Sequence, residues 1–413
     1  MPSRHAPATA RGNCRGSARQ NSRARCTPKQ SPRARAGTGN EQRQQMNPRI
    51  AVNLLWCQPG RVGGSEQYLA RQLAGLALTG DAGFDLDIYA PRGYTAAHPE
   101  LAGWRIHETA SNGANRASRI WRESTWLASR TRGVAVTHHG GGTVPFRTNG
   151  RTLVTVHDVQ YLSYPQYFSR TRLSYLSQMV PRSLQRADAV AVPSAYVRET
   201  LLDRFGLDPT TVHVVVHGIE SVDASALDVS RIRDKFGVAG FPYLVYPAIT
   251  HPHKNHMFLI EMLAGSWRTT GVHLLFMGGE GRGHRALVEH IVSSGVADRV
   301  HFIGHIGDAD RDALVVGADA LVFPSEYEGF GAPVAEAMAL GVPVVASDRA
   351  SLPGVVGDGG IVLPLDPQAW AVVPERVAAE RAALVAAARR RAESFTLVAS
   401  GRDLRGVYEG LLA

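Results

Sequence analysis

From residue 49 onward, short apolar runs alternate with longer helical patterns, and this alternation constrains the fold more than any other feature. The runs are Ile50–Leu55, Leu86–Tyr89, Val134–Thr137, Leu153–His157, Ala189–Pro193 and Val212–Val216, then Tyr243–Pro247, His273–Met277, Val300–Gly304, Ala320–Pro324 and Val342–Ala346. The last five begin at intervals of 30, 27, 20 and 22 residues. Such spacing leaves room for one crossover helix between successive parallel strands. The runs are continuously apolar, as strands covered on both faces are. Two series of roughly 170 residues each therefore predict an α/β chain of two doubly wound, Rossmann-like domains.

The expected boundaries are 46–220 for the first domain, 221–240 for a polar linker and 241–395 for the second domain. A long helix is predicted over Trp370–Arg391 and a last one over Ala399–Leu411. No apolar run approaches 18 residues, so no membrane-spanning helix is predicted. Cys14, Cys26 and Cys57 match no zinc spacing and are too few for a disulfide scaffold, which points to a reducing, cytoplasmic setting.

The net charge of +9 suggests nucleic acid, but its distribution argues otherwise. Residues 1–45 hold ten basic side chains against the single acid Glu41, and the rest of the chain holds 35 of each sign. The stretch 1–45 lacks the apolar content needed for a core and is expected to be a disordered basic tail. It reads as an arm for an anionic surface, as a solvated linker, or as an extension outside the working protein. Met46, directly ahead of the first strand, favours the last. No nucleic-acid partner is expected. Within the body, residues 46–220 carry 18 basic and 13 acidic side chains, and 221–413 carry 17 and 22. Arg116, Arg119, Arg122, Arg130 and Arg132 share one stretch, which reads either as a solvated face or as an acceptor or membrane-surface patch.

The segment 320–348, ALVFPSEYEGFGAPVAEAMALGVPVVASD, carries the chemistry. A strand ends in a loop with Ser325, Gly329 and Gly331. Pro333 falls where a first helical position is expected, and Gly341 and Pro343 stop the helix. Glu328 is thereby placed after a strand's carboxyl end and Glu336 in the helix's first turn. Glycine amides and a helix N-terminus at that point suit a diphosphate. Carboxylates beside it suit vicinal hydroxyls. The plainer reading has Glu336 complementing the helix dipole and Glu328 solvated.

Glu328 and Glu336, spaced E-x7-E in EGFGAPVAE, resemble the signature of the retaining glycosyltransferases of family 4. Those enzymes have the GT-B fold, two Rossmann-like domains facing a cleft. The resemblance covers nearly all of 49–413, and further segments stand in the family's order. They are Gly63-Gly64-Ser65-Glu66, Thr155-Val156-His157-Asp158 with YLSYPQYFS, Val192-Pro193-Ser194, Val215-Val216-His217-Gly218-Ile219 and Pro252-His253-Lys254-Asn255. The resemblance implies a role for each. Lys254 contacts the donor diphosphate, and Glu336 takes the ribose hydroxyls. Glu328, with the amides of Gly329, Phe330 and Gly331, holds the donor sugar and phosphate. His157 faces the transferred sugar. Gly63 and Gly64 let the backbone approach donor or acceptor. Gly278–Gly281 and Phe302–Gly304 border the base.

It further implies domain closure, a C-terminal helix (396–413) packed back on the first domain, and same-face attack in which the leaving phosphate helps deprotonate the acceptor. The expected partners are a nucleotide-sugar donor, a glycan or lipid-linked acceptor, and peripherally the inner membrane surface. The PHKN and YLSYPQYFS segments are most similar to members that transfer mannose in surface polysaccharide assembly, which makes GDP-mannose the expected donor.

Two departures stand out. Many members have an arginine a few residues before the lysine, whereas here Pro247–His253 has none. The Pro-Glu often found after the last strand is Pro353-Gly354. No cofactor or metal is expected: Lys254 sits among His251, His253 and His256, and no Asp-x-Asp stands in a fitting place. His138-His139-Gly140-Gly141-Gly142 resembles an esterase oxyanion loop, but no G-x-S-x-G exists to go with it. Asp158 either orients His157 or caps the next segment. Alternatives to transfer are a sugar-nucleotide epimerase or hydrolase on the same fold, and an inactive nucleotide-sugar-binding homologue.

Overall fold

The computed structural model describes residues 47–59, 63–111 and 113–413. The basic stretch 1–45, with Cys14 and Cys26, lies outside the described residues. Among these, two all-parallel sheets are formed. The first has the order β3-β2-β1-β4-β5-β6-β7, built from Arg49–Asn53 (β1), Asp85–Ala90 (β2), Arg105–Glu108 (β3), Val136–His139 (β4), Arg151–Thr155 (β5), Ala189–Val192 (β6) and Val212–Val214 (β7). The second has the order β10-β9-β8-β11-β12-β13. Its strands are Tyr243–Tyr246 (β8), His273–Met277 (β9), Val300–Gly304 (β10), Ala320–Phe323 (β11), Val344–Ser347 (β12) and Ile361–Leu363 (β13). Both sheets are doubly wound, and each reverses its winding beside its first strand, between β1 and β4 and between β8 and β11. Those reversals open a crevice at the carboxyl ends of the strands.

Two strands escape the sequence pattern, β3 and β13, and both are sheet edges. A central strand is covered on both faces and needs apolar side chains on each. An edge strand does not. β3 (RIHE) has no fully buried residue, and only the first of the three in β13 is buried.

The stretch 221–240 is not the plain linker expected from its polarity. It contains the helix Val229–Lys235, capped by the Asp228 carboxylate accepting from the Arg231 amide at 3.0 Å. Ile232 and Val238 are buried in the core of the second sheet. The chain crosses between the two cores twice, and the crossings touch: the Ile219 amide donates to the Phe395 carbonyl at 2.6 Å, and Ile219 bridges Thr396.

The second crossing leads into the helix Leu397–Leu412, whose Leu404, Val407, Tyr408 and Leu411 are buried in the core of the first sheet. It packs on the helix Gly64–Leu78 through a pair of glycines. A Cβ at Gly401 would collide with the backbone of Gly75, and one at Gly75 with the Leu397 carbonyl. Tyr408 fixes the seating, its hydroxyl 2.8 Å from His138 Nδ1 while His138 Nε2 lies 2.7 Å from Thr155 Oγ1. Because the obstacle is backbone, Gly401→Val is expected to destabilise the fold by about 3 kcal/mol. A melting temperature equal to the parent's would mean that the helices do not meet there.

Candidate active site

β11 delivers the loop Pro324–Gly331 to the reversal point of the second sheet, and buried serines hold that loop. Ser347 Oγ donates to the Ser325 carbonyl at 2.6 Å, and Ser351 Oγ lies 3.0 Å from the carbonyls of Glu328 and Phe330. Gly331 has φ +96°, a conformation that costs a side-chain-bearing residue, and it starts the helix Ala332–Ala339. The helix thus begins one residue before Pro333. Glu336 falls just past the first turn rather than in it, so its carboxylate is not an N-terminal dipole partner.

Lys254 arrives from the other side of the same reversal point. After β8 the chain makes a 3₁₀ turn, Pro252–Lys254, held by the Tyr246 hydroxyl donating to the Lys254 carbonyl at 2.6 Å. The Lys254 ammonium meets Glu328 Oε1 at 2.5 Å, and both side chains are largely buried, 20% and 13% exposed. Two of the residues singled out in the sequence therefore form one ion pair. The missing arginine is not replaced by charged histidine. Burial, reinforced by the Lys254 charge, pushes His253 down to about 3, and burial also lowers His251. Both imidazoles are neutral near pH 7, and the Nδ1 atoms of both are buried without a hydrogen-bond partner. The further cation bearing on them is Arg282, which donates to the Tyr167 carbonyl at 2.5 Å. Among the described residues no three His, Cys, Asp or Glu side chains gather as metal ligands.

Glu336 has a partner that the sequence reading did not identify. Arg71, on the helix Gly64–Leu78, donates from a terminal nitrogen to Glu336 Oε1 at 2.7 Å and from Nε to Glu220 Oε1 at 3.1 Å. Burial alone would raise the Glu336 carboxyl, but the guanidiniums of Arg71 and Arg311 outweigh it and hold it below the usual carboxylate range. The signal was a charged residue among the buried Tyr68, Leu69, Ala70, Gln72 and Leu73 of one helix; a buried charge needs a partner.

The first sheet supplies the opposite wall. His157 follows β5, and its Nε2 lies 2.7 Å from the Gly140 carbonyl. Its ring sits between Trp56 and Tyr68, with centroids 5.6 and 5.5 Å away. Burial lowers its pKa, so it stands neutral. Asp158 caps the next turn, accepting from the Gln160 amide at 3.0 Å. The two walls touch here. A Cβ at Gly329 would collide with the His157 carbonyl, and Ser194 Oγ donates to the Gly329 carbonyl at 2.6 Å. The Val159 amide donates to the Tyr327 hydroxyl at 3.2 Å, and Phe330 stacks on His217 at 5.3 Å. Gly63 and Gly64 stand where β1 gives way to its helix, with open space where a Cβ would be. Gly278–Gly281 and Phe302–Gly304 follow or end β9 and β10, and Phe302 is 43% exposed. Lys254, Glu328, Gly329, Phe330, Gly331 and Glu336 thus lie on one side of the contact, and His157, Gly63 and Gly64 on the other.

Two family models match the chain: "Glycosyltransferase Family 4" over residues 62–221 and "Glycosyl transferases group 1" over residues 228–390. The O-antigen chain mannosyltransferase B of Escherichia coli is 28% identical over 216 residues, which are 51% of this chain and 57% of that protein. The O-antigen chain mannosyltransferase RfbU of Salmonella typhimurium is 27% identical over 256 residues, 60% of this chain and 67% of that one. The chain therefore spans between half and two thirds of these relatives. Among solved structures, Anabaena HepE in complex with UDP and glucose superposes with a TM-score of 0.68 at 19% identity, covering 88% of this chain and 100% of that one. At that identity the likeness speaks for the fold.

Proposed function

Because this chain belongs to glycosyltransferase family 4, we propose that it transfers a mannose-like hexose from a nucleoside diphosphate sugar to a hydroxyl of a glycan or lipid-linked acceptor. The observation that carries the reading is the Lys254–Glu328 pair at the reversal point of the second sheet, beside the Gly329–Gly331 loop, whose Gly329 abuts the His157 carbonyl. In this reading Lys254 and the loop amides stabilise the diphosphate as it leaves, in a cleft from which water is excluded. Lysine acts there as a point charge. Glu336 accepts from the ribose hydroxyls. Glu328, paired with Lys254, takes the sugar hydroxyls, and His157, anchored through Nε2 by the Gly140 carbonyl, presents its other edge to the transferred ring.

The reaction retains configuration. The acceptor oxygen attacks C1 on the face that the diphosphate leaves, the C1–O bond to phosphate breaks, and the acceptor proton passes to the departing phosphate oxygen. No carboxylate serves as nucleophile, and no metal is required when a fixed lysine and amides meet the charge. The mannosyltransferase relatives support mannose, and GDP-mannose is the donor we favour. Among the described residues no helix is long and apolar enough to cross a membrane. For a lipid-linked acceptor the chain would work at the inner membrane surface. Trp121 and Phe146, 65% and 60% exposed, suit that surface, with Arg182 lying 4.3 Å over the Phe146 ring.

The test is thermal stability with GDP, UDP, dTDP and ADP and their sugars, in chelator. One base at 100 times its dissociation constant is expected to add about 2.7 kcal/mol. No shift with any of them would sink the donor reading.

A further inference from the structure

Arg71 stands on a helix of the first sheet, Glu336 on a helix of the second, and Glu220 on the first crossing between them. One guanidinium therefore binds both cores and the segment that crosses between them. It is 8% exposed, and its two bonds leave through different nitrogens to different carboxylates. Lysine, a single point donor, cannot reproduce that fork. Separation of the two cores must break the Glu336 bond, while the Glu220 bond lies on the crossing itself.

The geometry points to Arg71 as a positioning residue that couples closure of the cleft to the donor, by aiming the Glu336 carboxylate at the donor's ribose only when the two cores are together. The inference rests on the proposed ribose role of Glu336. Arg71 engages Oε1 of Glu336, and the Glu336 side chain keeps 20% exposure. The second oxygen is therefore the one a vicinal diol can use. Arg71, with Arg311, also favours the ionised carboxylate, and an ionised carboxylate accepts from the hydroxyls of a diol. Donor binding and closure then favour each other, as linkage requires. In the open state Glu336 loses its aim. In the closed state without donor, the Arg71 hydrogen bond holds the carboxylate in place.

The experiment compares parent, R71A, R71K and E336Q in two readouts. One is affinity for GDP and UDP by calorimetry, with donor KM and kcat where turnover is measurable. The other is the radius of gyration without ligand, by solution scattering. R71A is expected to weaken nucleoside diphosphate binding at least tenfold, to raise KM more than it lowers kcat, and to expand the unliganded molecule. R71K should recover less than half of the lost affinity, because it restores charge without the fork. E336Q should expand the molecule as R71A does. If R71A does not fold, R71K and E336Q carry the same comparison. Unchanged affinity and unchanged radius in the folded variants would overturn the coupling, and so would full recovery by R71K. If the parent binds no nucleoside diphosphate, the donor reading fails instead, and an unexpanded R71K or E336Q would overturn the closure role separately.

Discussion

Lys254→Ala is expected to lower kcat by about a thousandfold, the loss typical when a fixed charge is removed from where negative charge develops in a transition state. Loss of the leaving-group cation is only half of what the substitution does. Lys254 is also the partner of Glu328 at 2.5 Å, in a pair largely withdrawn from water. Alanine strands the carboxylate, so the variant should melt several degrees lower, reflecting roughly 2 kcal/mol once partial exposure is allowed for. The two effects separate in the double variant. K254A/E328Q removes the stranded charge and should regain most of the lost melting temperature while regaining no activity. If K254A keeps full turnover, the phosphate role is wrong. If the double variant melts no higher than K254A, the pair is not what fixes the loop.

Acid is the second large effect. His138, His139, His217 and His256 are buried, and burial, the leading cause for each, pushes them down to about 3, 3, 4 and 3. An unfolded chain protonates its histidines near 6.5. Between about pH 6.5 and 4 the unfolded state therefore holds protons that the folded state refuses, and stability falls as pH falls. It is fully present above about pH 7. With as many as four protons involved, the slope approaches about 5 kcal/mol per pH unit, against a total stability of order 5–15 kcal/mol. Urea midpoints taken from pH 7.5 downward should collapse before pH 5, ahead of carboxylate protonation. A midpoint flat from pH 7 to 5 would contradict the buried neutral imidazoles. His138 is the instructive member, because its protonation makes both ring nitrogens donors, so that the Tyr408 and Thr155 hydroxyls must both accept beside an unpaired buried charge in the seat of the closing helix.

Central strands were legible in the sequence because burial on both faces leaves an apolar run that little else imitates. The edges β3 and β13 were not, since half-exposed strands carry mixed side chains. In the site, Glu328 and Glu336 could be placed because a strand, glycines, a proline and a helix stop bracket them. The onset of the helix was off by one residue, enough to move Glu336 out of the first turn. Asp158 kept two readings until the Gln160 amide was seen to be its partner. Arg71 stayed hidden for a different reason. Its acceptor Glu336 lies 265 positions along the chain, and no local pattern reports a contact at that range. The helix Val229–Lys235 was obscured by its own polarity, with Ile232 as its buried apolar residue.

The return of the helix Leu397–Leu412 to the first core bears on how the chain emerges during synthesis. Roughly 180 residues separate Val214, which ends β7, from Leu397, and at about 5–20 residues per second the ribosome needs roughly 10–40 s to make them. For that interval the first half has its sheet but not its cover. Phe84 and the Gly75 seam lie open, and His138 waits for Tyr408. The half translated first is thus the half completed last. A message cut short near its 3′ end would leave the second half able to mature and the first exposed to proteases.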